Sequence, residues 1–224
     1  MRDLLRNLIS EMINDLLIYE VAPKDFSSNK KAVITAGPPG AGKSTISKLI
    51  LGGLGFSDRD VDDMLKSLLK REKMGLDMSK YSPEDEKKKD ELRNKTFSWI
   101  EKSQQHDIER ERGIIVNTTG ANYDFTLSLK KKFEDAGYSV KMLFVDAPLE
   151  TSLARNSKRE RSINPQLLNQ KHREVTSNVE KFKQAFGNDF HYYLNDEGKD
   201  ASLRNKELVS ISKDFVNWRP SRKN

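Results

Sequence analysis

Short apolar runs alternate with longer amphipathic stretches along most of this 224-residue chain. The short runs are β-prone, as buried strands are, and they occupy residues 31–36, 55–61, 113–118, 139–146 and 189–195. Apolar residues recur at helical spacing in residues 43–53, 62–72, about 84–111, 122–136, 148–158, 165–186 and 201–217. Because strands and helices alternate, and several strands are apolar almost throughout, the pattern predicts an α/β fold. We expect a mostly parallel five-stranded sheet with helices on both faces.

We predict that residues 1–224 form one domain. Residues 1–30 are predicted to form an N-terminal helix and lead-in, residues 31–200 the core, and residues 201–224 a C-terminal helix and tail. Within the first segment, residues 1–19 have the pattern of an amphipathic helix that packs on the domain. A helix that binds a membrane surface or a partner is the alternative.

Composition excludes several kinds of chemistry. The chain has no cysteine, so disulfides, thiol nucleophiles and cysteine-based zinc sites are absent, which fits a cytoplasmic protein. No run approaches the 18 apolar residues typical of a membrane span. Three histidines without metal-ligand spacing predict no histidine metal site.

The most informative motif is residues 37–45, which read Gly-Pro-Pro-Gly-Ala-Gly-Lys-Ser-Thr. This is the P-loop pattern, and it lies between a predicted strand and a predicted helix, as phosphate binding requires. Backbone N–H groups and the helix N-terminus would hold the phosphates of a nucleoside triphosphate. The predicted binding residues are Gly37, Pro39, Gly40, Ala41, Gly42, Lys43, Ser44 and Thr45. Lys43 would reach the β- and γ-phosphates, and the Ser44 hydroxyl would hold Mg²⁺. A Gly/Pro-rich turn before an ordinary helix is the alternative.

Four carboxylates follow the second predicted strand, namely Asp58, Asp60, Asp62 and Asp63. Phosphoryl transfer to a hydroxyl needs a carboxylate that accepts the proton and orients the oxygen. Asp62 and Asp63 equally suit helix capping. From the residues themselves, the choice among Asp60, Asp62 and Asp63 stays open. At the ends of two other predicted strands, Asp146 could order water on Mg²⁺ and Asn117 could touch the substrate, or each could simply begin a turn.

Basic residues concentrate in one segment. The net charge is +6, and residues 155–173 carry +5 of it. The cations there are Arg155, Lys158, Arg159, Arg161, Lys171 and Arg173. In a P-loop protein such arginines can close over transferring phosphates, whereas a solvated helix face is the ordinary explanation.

From the P-loop to about residue 175, the chain resembles the 5′-kinase domain of bacteriophage polynucleotide kinase and, more loosely, zeta-toxin-like kinases. The resemblance lies in the P-loop, in Val61-Asp62-Asp63-Met64, in Gly-Ile-Ile-Val-Asn-Thr at 113–118, and in Ala-Arg-Asn-Ser-Lys-Arg at 154–159. It implies a P-loop kinase fold of three layers with a helical lid. It also implies that Asp62 is the general base and that Arg155 and Arg159 contact the nucleotide phosphates.

Two positions depart from that family. Its polynucleotide kinases have an arginine where this chain has Leu65, and their third strand ends in an aspartate where this chain has Asn117. These departures leave ATP-dependent phosphoryl transfer intact but weaken the assignment of the acceptor.

We therefore predict an ATP- and Mg²⁺-dependent kinase in which Lys43, Asp62, Arg155 and Arg159 are catalytic. The resemblance and the basic excess favour a nucleic-acid hydroxyl as acceptor. The alternatives are a nucleotide sugar or another small molecule, a regulatory P-loop ATPase, and a nucleic-acid-binding module without catalysis.

Overall fold

A five-stranded parallel sheet forms the centre of the computed structural model, which describes residues 28–76, 81–158 and 163–218. Its strands are β1 (Lys31–Ala36), β2 (Ser57–Asp58), β3 (Ile114–Asn117), β4 (Ser139–Asp146) and β5 (Phe190–Leu194). They lie in the order β2-β3-β1-β4-β5, and every neighbouring pair is parallel. The helices are α1 (Lys43–Leu51), α2 (Val61–Arg71), α3 (Pro83–Glu109), α4 (Tyr123–Asp135), α5 (Leu149–Ser157), α6 (Pro165–Thr176), α7 (Val179–Phe186) and α8 (Ala201–Val216). The predicted α/β fold is confirmed.

Helices cover both faces of the sheet, so β1 and most of β4 are buried, and side chains alternate between the two faces along each strand. One face of the sheet packs Val33, Leu143 and Val145 against buried residues of α1 and α8. On the other face, Ile34 and Phe144 pack against buried residues of α4 and α7. The three layers predicted from the sequence are therefore present.

The sheet register brings the functional loops together. Ala36 at the end of β1 pairs with Phe144 of β4, and Thr35 pairs with Asn117 at the end of β3. The chain segments that leave the carboxyl ends of these strands therefore start side by side. In open α/β sheets this edge is where ligands bind.

Two predicted boundaries were wrong in detail. The helix predicted over residues 165–186 is divided into α6 and α7, with Asn178 between them. Asn178 is buried and its amide donates to the Gly120 and Ala121 carbonyls, so this side chain serves a tertiary contact at the break. The strand predicted over 55–61 is reduced to Ser57–Asp58 because Asp60 already caps α2.

The predicted amphipathic helix over residues 1–19 lies outside the described residues. Among the helices that the structure describes, none is both long and apolar enough to cross a membrane.

Candidate active site

The P-loop leaves β1 through a glycine that contacts the neighbouring strand. A Cβ atom on Gly37 would lie 1.9 Å from the Val145 carbonyl oxygen, and the φ angle of Gly37 is 142°. Gly40 and Gly42 also have positive φ angles of 83° and 88°, which L-residues rarely adopt. Helix α1 then begins at Lys43 with Gly42 as its N-cap. Gly42 has no side chain that could cap α1, and a helix start of this kind suits the binding of an anion.

These contacts make Gly37→Ala a sharp test of the loop geometry. We expect this variant to lose about 3 kcal/mol or more of unfolding free energy, because overpacking adds to backbone strain. Gly137→Ala is the matched control, since Gly137 has a φ of 82° with nothing within 4 Å of its Cβ position. The control is expected to cost about 1–2 kcal/mol, from backbone strain alone. Equal losses in chemical denaturation would contradict the close packing of Gly37 on Val145.

Lys43 turns back over the loop that precedes it. Its Nζ atom donates to the carbonyl oxygens of Gly37 at 2.6 Å and Pro38 at 3.1 Å. The ammonium group therefore lies over the loop into which the phosphates of a nucleotide would fit. Ser44 and Thr45 are exposed at the start of α1, whereas Gly40 and Ala41 are buried.

The three carboxylates at the start of α2 differ in their contacts and exposure. Asp60 is the N-cap, accepting from the Asp62 N–H at 2.7 Å, and its other oxygen lies 3.4 Å from the Ser44 hydroxyl. The Asp62 residue is exposed in the first turn of α2. Asp63 lies 4.0 Å from the ammonium group of Lys48 on α1. Capping is thus the observed role of Asp60, and not of Asp62 or Asp63.

Asn117 joins β1 to β2 through its side chain. Its Oδ1 accepts from the Thr35 hydroxyl at 2.6 Å, and its Nδ2 donates to Asp58 at 2.8 Å. Partial burial raises the pKa of the Asp58 carboxyl group, and the nearby Asp60 carboxylate raises it further, while the hydrogen bond from Asn117 opposes the shift. The Asn117 amide at the end of β3 therefore holds the Asp58 carboxylate of the neighbouring strand β2 by a hydrogen bond.

Asp146, the last residue of β4, accepts hydrogen bonds on both carboxylate oxygens. Its two carboxylate oxygens accept from the Ala147 N–H at 2.8 Å and from the Tyr192 hydroxyl at 2.9 Å. Burial raises the pKa of Tyr192 and the Asp146 charge raises it further. His172, which lies in the basic segment, places Nε2 2.8 Å from the Ala147 carbonyl oxygen.

Arg155 lies against the P-loop on helix α5. Its guanidinium group donates to the carbonyl oxygens of Gly40 at 3.4 Å and Ala41 at 3.2 Å. The same group contacts the Asn195 carbonyl and the Glu197 carboxylate. Arg159, the second lid arginine implied by the resemblance, lies outside the described residues. Asn195 and Glu197 were missed by the sequence analysis, since both follow β5 in an ordinary polar turn sequence.

Two oxygen donors that could hold Mg²⁺ lie at the starts of α1 and α2. Ser44 contributes a hydroxyl and Asp60 a carboxylate, both exposed or half-buried, which suits an ion that binds oxygen and keeps several waters. Clusters of three or more His, Cys, Asp or Glu side chains that could hold a metal do not occur in the described part of the chain. Ser44 and Asp60 therefore suit a Mg²⁺ ion that phosphate oxygens also bind, rather than an ion held by protein groups alone.

Comparison with solved structures supports the same fold. A chain from the PezAT chromosomal toxin–antitoxin system of Streptococcus pneumoniae matches with a TM-score of 0.55 and 13% identity, over 95% of this chain and 94% of that one. A chain of the AvrRxo1-ORF1:-ORF2 complex with ATP matches with a TM-score of 0.56 and 16% identity, over 84% of this chain and 63% of that one. At these identities the matches establish the P-loop kinase-like fold. No curated protein matches the chain.

A family model gives the more specific assignment. The Zeta toxin model matches residues 19–207, which include the P-loop, the carboxylates of α2 and the lid arginines. The zeta-toxin part of the predicted resemblance is confirmed, and the polynucleotide kinase part stays a prediction. With a match over most of its length, the chain belongs to the Zeta toxin family.

Proposed function

We propose that this protein is a kinase that transfers the γ-phosphoryl group of ATP to an alcohol group on a small molecule, such as a nucleotide sugar. The observation that carries this proposal is the 3.4 Å approach of Ser44, in the P-loop helix, to Asp60 at the start of α2. That contact brings a phosphate-binding loop and a row of carboxylates to one place. Phosphoryl transfer to a hydroxyl needs both.

ATP is the proposed donor. The glycines and the uncapped start of α1 supply N–H groups for the phosphate oxygens, and Lys43 supplies a positive charge over the loop. ATP is also present in the AvrRxo1 complex, whose chain has a similar fold. When nucleotide binds, Lys43 would exchange the carbonyls of Gly37 and Pro38 for phosphate oxygens.

Ser44, with Asp60 beside it, would hold the Mg²⁺ that accompanies ATP. The ion would neutralise charge on the phosphates. Asp60 keeps the N-terminus of α2 fixed next to this position through its bond with the Asp62 N–H.

Asp62 is the proposed general base. Its carboxylate would accept the proton of the acceptor hydroxyl while the hydroxyl oxygen attacks the γ-phosphorus. The bond from the γ-phosphorus to the bridging oxygen then breaks, and ADP leaves with the bonding electrons. Arg159 would offset the negative charge of the transferring group. Arg155, held against Gly40 and Ala41, would add positive charge beside the triphosphate both before and during transfer, which favours binding rather than the chemical step.

Two observations favour a small acceptor over the nucleic acid suggested by the sequence. Leu65, at the position of the polynucleotide kinase arginine, is 2% exposed and packs with Leu69 and Leu92, so no cation is offered there. Ion pairs also offset part of the basic segment, since Arg155 pairs with Glu197 and Lys171 with Glu174. A phosphate-rich polymer would gain less from such neutralised charges.

The acceptor is tested with γ-labelled ATP and Mg²⁺, offered with separate pools of nucleotide sugars, sugars, nucleosides, DNA and RNA. We expect label in a phosphate ester of one small-molecule pool. Label on DNA or RNA would show instead that the acceptor is a nucleic acid. Release of inorganic phosphate with every pool would instead indicate a regulatory ATPase.

A further inference from the structure

The guanidinium group of Arg155 is saturated with acceptors. Its Nε donates to Glu197 at 3.3 Å, Nη1 to Gly40 and Ala41 at 3.4 and 3.2 Å, and Nη2 to Asn195 and Glu197 at 3.3 and 3.1 Å. These five bonds match the five N–H donors of an arginine side chain. We refer to Arg155, Asn195 and Glu197 as the loop clamp.

The clamp contacts backbone carbonyl oxygens of the P-loop. In such a loop the N–H groups point inward to the anion, and carbonyl oxygens on the opposite side need other donors. Arg155 supplies donors to Gly40 and Ala41, and the Asn195 side chain adds a bond to Ala41 at 2.8 Å. Gly42 leaves room for this approach, because a Cβ there would lie 2.5 Å from Asn195 Nδ2.

The two charged side chains of the clamp differ in burial. The Arg155 side chain is only 19% exposed, whereas that of Glu197 is 65% exposed. The loop carrying Glu197 is itself fixed, since the Asn195 N–H donates to the Asp146 carbonyl oxygen at 2.7 Å. One Glu197 oxygen accepts from two nitrogens of Arg155, which sets the plane of the guanidinium group.

We propose that Glu197 is a positioning residue, which orients Arg155 so that the P-loop keeps the shape that binds triphosphate. The inference rests on the proposed function in that the loop is taken to bind ATP. Glu197 acts through Arg155 and touches neither the acceptor nor the transferred phosphorus. Its loss should therefore change nucleotide affinity and leave the rate at saturating ATP nearly unchanged.

The sign of the effect separates positioning from simple electrostatics. Removing a negative charge beside an anion-binding loop should, by Coulomb attraction alone, tighten ATP binding. The clamp predicts the opposite, because Arg155 loses the partner that orients it. We expect Glu197→Gln to weaken binding of a non-hydrolysable ATP analogue with Mg²⁺ about 5-fold in isothermal calorimetry.

Two further variants complete the experiment. Glu207→Gln is the matched control, because it removes an ion pair outside the clamp, between Glu207 on α8 and Lys199 in the turn before α8. This variant should bind like the wild type. Arg155→Lys keeps the charge but not the forked donors, so it should also bind more weakly.

Four results can be distinguished. Weaker binding by Glu197→Gln, with kcat within about twofold of wild type, supports the clamp. Unchanged or tighter binding by this variant overturns the clamp and leaves the kinase proposal standing. Weaker binding together with a fall in kcat of more than about twofold also overturns it, because Glu197 would then act on the chemical step. A wild-type protein that binds no ATP analogue overturns the proposed function and the clamp with it.

Discussion

Replacement of Lys43 by alanine is expected to reduce phosphoryl transfer by at least about 10³-fold. The Lys43 ammonium group lies over the P-loop and is bonded to the carbonyls of Gly37 and Pro38. This charge is proposed to act at the β- and γ-phosphates, and alanine has no charge to take its place. Initial rates with labelled ATP measure the loss, and circular dichroism with a thermal melt checks that the fold is retained.

The control for this variant is Lys48→Ala. Lys48 lies on the same helix, is 68% exposed and has a distant 4.0 Å ion pair with Asp63, so its removal takes away equal charge without affecting the loop. We expect Lys48→Ala to transfer phosphate within about twofold of the wild-type rate. A Lys43→Ala protein that is folded and equally active would refute the assignment of the phosphate site.

The second large effect is expected for Asp62→Asn, which should lower kcat by about 10²–10⁴-fold while the affinity for ATP changes little. The asparagine keeps the size of the side chain but cannot accept a proton. Because Asp62 is exposed in the first turn of α2, the substitution should not unfold the protein. Single-turnover rates and separate binding measurements distinguish the two quantities.

Asp60→Asn and Asp63→Asn are the matched variants. Asparagine is as good an N-cap as aspartate, so Asp60→Asn keeps the cap of α2 and tests the carboxylate beside Ser44. Asp63 faces Lys48 and is expected to be dispensable. If either variant lost transfer while Asp62→Asn kept it, another carboxylate would be the base.

Much of the fold could be predicted because its signals are local. Apolar runs such as those of β1 and β4 report burial on both faces, and the glycines of residues 37–42 report a backbone that side chains would disrupt. The division at Asn178 was missed, since it depends on carbonyls of Gly120 and Ala121 that are distant in sequence. Local pattern carries no information about such contacts.

The candidate site was likewise predictable only where its residues form a contiguous motif. The P-loop and the acids of α2 are contiguous motifs, so the sequence indicates them directly. Glu197 lies 42 residues from Arg155, and its role depends on a turn after β5 that has no distinctive sequence. Likewise, the burial of Leu65 against Leu92 depends on how α2 packs on α3.

The proposed kinase site is tested most directly by a crystal structure with a non-hydrolysable ATP analogue, Mg²⁺ and the acceptor identified by labelling. We expect the γ-phosphate within hydrogen-bonding distance of the P-loop N–H groups and of Lys43, with the acceptor hydroxyl beside Asp62. A nucleotide bound elsewhere, with Lys43 still bonded to Gly37, would contradict it.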